Sequence, residues 1–168
     1  MSHEPPGHPL SAQDPLVHDP LPHETVRFAH NSERQFAKLL DFYAIAWDYE
    51  PRTFVLERDR DGNPVQAFAP DFYLPAYDVY IEITTLNQKL VTKKNRKARR
   101  VQELYPEVSV KVFYQRDYLH LLVKYGLEPP SQLVATGLAA EAPHPLDFGA
   151  VTLPMLPGAR HDLSAESA

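Results

Sequence analysis

Two short apolar segments, each carrying one carboxylate, constrain the fold of this chain more than any other feature. Ala69-Pro70-Asp71-Phe72-Tyr73-Leu74 is followed, across Pro75 and Ala76, by Tyr80-Ile81-Glu82-Ile83-Thr84. β-Branched and aromatic residues mark both as strands, and the Pro-Ala pair between them marks a turn. In an antiparallel hairpin the numbers of opposed residues have a constant sum, so a turn centred between Ala76 and Tyr77 sets Asp71 opposite Glu82. Glu82 and Thr84 then share one sheet face, and Ile81 and Ile83 the other. Two facing carboxylates among apolar neighbours repel each other and lose hydration, which calls for a cation between them. A divalent metal is the simplest candidate.

The length of 168 residues allows one domain of ordinary size with a proper core. With no cysteine, a disulfide scaffold, a thiol nucleophile and a cysteine-ligated zinc site are excluded. The N-terminus lacks the basic and apolar regions of a signal peptide, and no apolar run reaches transmembrane length. A cytoplasmic protein without membrane contact is the expectation. Residues 27–128 hold 16 of the 17 Lys and Arg but only 14 of the 22 Asp and Glu, so the formal net charge of −5 belongs to the two ends and hides a basic centre.

Residues 1–25 carry Pro5, Pro6, Pro9, Pro15, Pro20 and Pro22 with four irregularly spaced histidines, and read as a disordered leader. Residues 129–168 read as a mostly irregular tail. The domain between them, 26–128, has the order α-β-β-β-α-β-α. Ser32-Glu33-Arg34-Gln35 has the form of a capping box, followed by Phe36, Leu39, Leu40 and Tyr43 at helical spacing. Strands follow over 49–58, 65–73 and 79–84, the first two joined by the turn Asp59-Arg60-Asp61-Gly62-Asn63. A helix over 91–105 stops at Pro106, a strand covers 108–114, and a short helix covers 118–125.

Pro70-Asp71, a short gap, and Glu82-Ile83-Thr84 on the next strand resemble the signature of the PD-(D/E)xK nuclease superfamily, with Thr84 where the family usually has lysine. The resemblance covers roughly 100 residues, and it implies a restriction-endonuclease-like αβββαβ core, an α/β fold with a mixed four-stranded sheet flanked by helices. It also implies hydrolysis of phosphodiester bonds in DNA with Mg²⁺ or Mn²⁺ as cofactor. Related nucleases often add a carboxylate from the opening helix, here Glu33, and often act as homodimers. Similar sequences occur beside or fused to purine phosphoribosyltransferases, which implies a functional link. The chain itself lacks the acidic pair that such an enzyme carries ahead of Ala135-Thr136-Gly137.

Mg²⁺ usually takes only one or two protein carboxylates, so Asp71 and Glu82 suffice as ligands, with Glu33 as a third candidate. The capping role of Glu33 is its other reading. Lys89, Lys93, Lys94, Arg96, Lys97, Arg99 and Arg100 place seven cations within twelve residues, six of them on the helix over 91–105. Lys93, Arg96 and Arg100 gather on its outer side, so these three and Lys97 are candidate nucleic-acid contacts beside the carboxylates. Lys94 instead falls in the apolar stripe of Val91, Ala98 and Val101, where a charge must find an anion. Since some superfamily members supply the catalytic lysine from a neighbouring element, Lys94 is the natural substitute at a site made of Asp71, Glu82 and Thr84. Two other readings stay open: a non-catalytic nucleic-acid-binding module on the same fold, and a protein-interaction domain.

Overall fold

A computed structural model describes residues 19–85 and 87–137. The elements in chain order are α1 (Pro22–Thr25), α2 (Asn31–Phe42), β1 (Asp48–Tyr49), β2 (Phe54–Arg58), β3 (Pro64–Phe68), β4 (Phe72–Leu74), β5 (Val79–Thr84), α3 (Gln88–Leu104), β6 (Val110–Tyr114), α4 (Gln115–Lys124) and α5 (Ser131–Ala135). The architecture is mixed α/β. Its main sheet has four strands in the order β1-β4-β5-β6, with β5 and β6 parallel and the other pairs antiparallel.

The two strands expected over 49–58 and 65–73 are each broken in two. Asp48–Tyr49 and Phe72–Leu74 pair in the main sheet, while Phe54–Arg58 and Pro64–Phe68 form a separate two-stranded hairpin. Both breaks fall at the same level. Pro51 and Pro70 have no N–H to give a ladder, and Glu50 turns the chain with φ at 45°. A single bond, from Glu50 N to Asp71 O at 2.8 Å, carries the pairing through the bend. The two long strands are therefore one hairpin folded over, and the fold brings its outer half onto α3.

The β4–β5 register follows the constant sum read from the sequence: Phe72 opposes Ile81, Tyr73 opposes Tyr80 and Leu74 opposes Val79. A turn of 3₁₀ helix at Pro75–Tyr77 closes it, with Asp78 in the left-handed region that Asp tolerates. Alternation splits the residues between two cores. Phe72, Leu74, Val79, Ile81 and Ile83 pack with α2 and α4. Phe54, Leu56, Phe68, Ala98, Val101, Val108 and Val110 pack the hairpin, α3 and β6 together on the other face, with Tyr80 at their margin. The face of β5 that bears Tyr80, Glu82 and Thr84 is thus the α3 face.

α3 is built largely from good helix formers (Gln, Lys, Leu, Arg, Ala and Glu), with no Gly or Pro before Pro106, and Asn87 caps it by accepting from Lys89 N and Leu90 N. The cap of α2 differs from the sequence expectation. The helix begins at Asn31, and Glu33 reaches back to accept from Ala29 N and His30 N, each at 3.2 Å. The acid of the box is Glu33 and not Gln35, because the chain enters the helix two residues early. α4 likewise begins at Gln115, directly after β6, three residues ahead of the expected start. Residues 22–25 of the expected leader form one helical turn, tied down by His23 Nδ1 at 2.7 Å from Asp41 Oδ2. Most of the leader and the tail beyond residue 137 lie outside the described residues. Among the described residues, no helix is long and apolar enough to cross a membrane.

Candidate active site

Asp71 stands where the main sheet and the outer hairpin part. Pro70 ends one ladder, and the Asp71 carboxylate accepts from Ile83 N at 2.6 Å, extending the hold on β5 past the last β4 pair. Glu82 sits mid-strand on β5, on the α3 face. Both are buried, Asp71 to 7% exposure and Glu82 to 5%. Lys94, nearly two turns into α3 and on its sheet-facing side, brings its Nζ to 2.7 Å from Glu82 Oε1 and also donates to Ile83 O. Its helical phase predicts this placement. The other oxygen, Glu82 Oε2, is buried with no hydrogen-bond partner.

The electrostatics follow from that geometry. Burial pushes the Asp71 carboxyl up to about 7, and the Glu82 charge adds to the rise, while the Ile83 N–H and Lys94 pull against it. Burial also raises Glu82, and the Lys94 ammonium only partly offsets the effect. One cation therefore serves two buried acids. The pair remains short of positive charge.

Lys94 separates two cavities. One, of about 290 Å³, is lined by Ala67, Phe68, Glu82, Lys93, Lys94 and Lys97. The other, of about 470 Å³, is lined by His30, Glu33, Thr84, Lys94 and Gln115 among others. Thr84 is buried and its hydroxyl donates to Thr85 O at 3.3 Å.

Glu33 borders the second cavity, but its Oε2 is taken by the helix start and by the Tyr49 hydroxyl at 2.7 Å. Among the described residues no group of three or more Asp, Glu, His or Cys converges as a metal cluster. Asp71 and Glu82 are thus a pair, with Glu33 doing the work of a cap.

The basic run is sorted differently from its expected arrangement. Lys93 and Lys97 are the ones that line the Glu82 cavity. Arg96 and Arg100 line a groove between α3 and the outer hairpin instead, since the fold of that hairpin over α3 shifts which side of the helix meets the carboxylates. Gln115 escaped the sequence reading. It lines the Thr84 cavity and donates to Gln35 Oε1 at 2.9 Å, and Gln35 is fully buried with its Nε2 unpartnered. The only signal was a polar residue at a strand end, and no side-chain cap announces the helix there.

Comparison with protein-family models, with curated proteins and with solved structures finds no match to this chain.

Proposed function

We propose that this chain is a restriction-endonuclease-like domain that hydrolyses phosphodiester bonds in DNA with Mg²⁺ or Mn²⁺ held by Asp71 and Glu82. The observation that carries the reading is the contact between Lys94 and Glu82. It puts an ammonium beside two buried acids, where the resemblance asks for a lysine and the strand offers Thr84.

The donor set suits a hard divalent cation. Both ligands would be carboxylates, one Glu82 oxygen has no partner, and both acids are raised by burial that positive charge would relieve. Such a cation, when bound, polarises the phosphate and lowers the pKa of a coordinated water. The chain's own groups supply the rest. The Ile83 N–H fixes the orientation of Asp71, so the carboxylate is preorganised. Lys94 borders both cavities and can turn its ammonium from Glu82 toward a non-bridging phosphate oxygen, where negative charge grows as water attacks phosphorus. Thr84 keeps the floor of the second cavity polar without adding a charge.

A cleavage assay on duplex, nicked, branched and single-stranded DNA with Mn²⁺ tests the reading. Wild type should cut at least one form, Asp71→Ala and Glu82→Ala should cut none, and Lys94→Ala should lose cleavage while keeping metal-induced stabilisation. Salt-dependent DNA binding without cleavage of any form would replace the proposal with the binding-module reading.

A further inference from the structure

The structure divides the seven cations of α3 into two sets. Three are engaged. Lys94 pairs with Glu82, Lys97 donates to Ala67 O at 3.1 Å and lies over the Phe68 ring, and Arg100 meets Glu103 at 3.1 Å. The other four, Lys89, Lys93, Arg96 and Arg99, are exposed and have no ion-pair partner among the described residues.

At 100° per residue the free four fall within about 120° of arc, and they extend about 15 Å along the helix axis. Each strand of a duplex presents one phosphate per about 3.4 Å of its axis, so about four phosphates face that length, one for each free cation. Position along the helix links them to the site. Lys93 lines the Glu82 cavity. Further along, grooves of about 650 and 600 Å³ flank the helix, and Arg96 and Arg99 line both, which puts them on the ridge between. The row ends at Glu103, whose carboxylate offsets Arg100. A cation already held by a carboxylate or a carbonyl must give up that contact to meet a phosphate, so the engaged residues add less to the binding of a polyanion than the free ones.

We infer that the outer face of α3 is a track for the phosphodiester backbone of a nucleic acid, held by Lys89, Lys93, Arg96 and Arg99, which leads one strand past the Asp71–Glu82 site. This rests on the nucleic-acid reading of that site, and it names the surface that presents the substrate. Arg96 and Arg99 bring planar forks that match phosphate oxygens, while Lys89 and Lys93 act as point charges.

The test is fluorescence anisotropy of a labelled duplex DNA, with a duplex RNA of the same sequence as the second arm, over a salt series in EDTA so that nothing is cut. Arg96→Gln and Arg99→Gln should each lower the slope of log affinity against log salt by about 0.9 on the nucleic acid the track accepts. Arg96→Lys should keep it, and Arg100→Gln should leave it unchanged. Unaltered circular-dichroism melts verify that each variant is folded. A slope that falls as much in Arg100→Gln as in Arg96→Gln would overturn the track, because the run would then act as diffuse charge. Absence of salt-dependent binding by wild type to either duplex would overturn it as well. Cleavage is scored separately with Mn²⁺. Slopes that behave as stated without any cleavage would uphold the track and remove the nuclease reading, and cleavage that depends on Asp71 with indifferent slopes would remove the track alone.

Discussion

Asp71→Asn should stabilise the metal-free protein at neutral pH. The Asp71 carboxyl stands at about 7 in the folded chain against 3.8 for the free group. At 1.36 kcal/mol per pKa unit, this gap corresponds to about 4 kcal/mol of stability lost once the carboxylate is ionised in place. A small domain has only about 5–15 kcal/mol in total, so the loss is large. Below pH 3.8 both states hold the proton and nothing is lost. Between 3.8 and about 7 the unfolded chain releases it while the native chain keeps it, so stability falls as pH rises. Above about 7 the penalty is complete and flat. Asparagine has nothing to release, and its carbonyl can still accept from Ile83 N.

Urea unfolding in EDTA, followed by the fluorescence of Trp47, the single tryptophan, measures this directly. The wild-type and Asp71→Asn curves should converge near pH 4 and separate by about 4 kcal/mol near pH 8, with the variant the more stable. Glu82 is raised by its own burial as well and adds a downward slope of its own, and because the two acids interact, the difference between the curves reports the pair. Mg²⁺ should stabilise wild type and not the variant. A difference that does not change with pH, or a variant less stable than wild type at pH 8, would refute the idea that an ionised Asp71 is uncompensated.

Lys94→Ala leaves Glu82 buried without its partner and should cost about 3–5 kcal/mol near pH 8, less near pH 5 where Glu82 can take up a proton. Urea melts at the two pH values give the comparison. Glu33→Gln should cost about 0.5–2 kcal/mol through the α2 start yet keep in full any Mg²⁺-induced stabilisation of wild type, and loss of that stabilisation would restore Glu33 to the proposed metal site. Glu50→Gly should stabilise the chain by up to about 1 kcal/mol, because glycine adopts φ of 45° without the penalty that other residues carry. A destabilised Glu50→Gly in thermal melts would show that the Glu50 side chain, and not its backbone, holds the bend.

What could be read from the sequence, and what could not, follows from the range of each interaction. The β4–β5 register depends on a two-residue period and the centre of one turn, both local, and Phe72 does oppose Ile81. The phase of Lys94 depends on 3.6 residues per turn and the stripe of Val91, Ala98 and Val101, again local. The folding-over of the long hairpin is not local. Pro51 and Pro70 were visible singly, but only their alignment at one level, across the Glu50–Asp71 bond, turns two breaks into a bend. That bend decides which cations meet the carboxylates, and so Lys97 went to the Ala67 carbonyl while Arg96 and Arg100 moved off the site. The Arg100–Glu103 pair, three residues apart on one helix, is by contrast local and legible from its spacing alone.

The absence of lysine at position 84 is best understood through the helix and not the strand. A lysine there would share the β5 face with Glu82, two residues away, and would put a second ammonium beside the one that α3 already delivers. Two cations would then satisfy Asp71 and Glu82 fully, lower both carboxyls, and remove the unmet demand for charge on which the proposed metal binding rests. With Thr84 in place the site keeps two acids to one ammonium. Thr84→Lys should therefore raise the stability of the metal-free protein while weakening its response to Mg²⁺, and partial rescue of Lys94→Ala by the same change would show that the two positions serve one role. Stabilisation by Mg²⁺ undiminished in Thr84→Lys would mean that residue 84 does not communicate with the carboxylates at all.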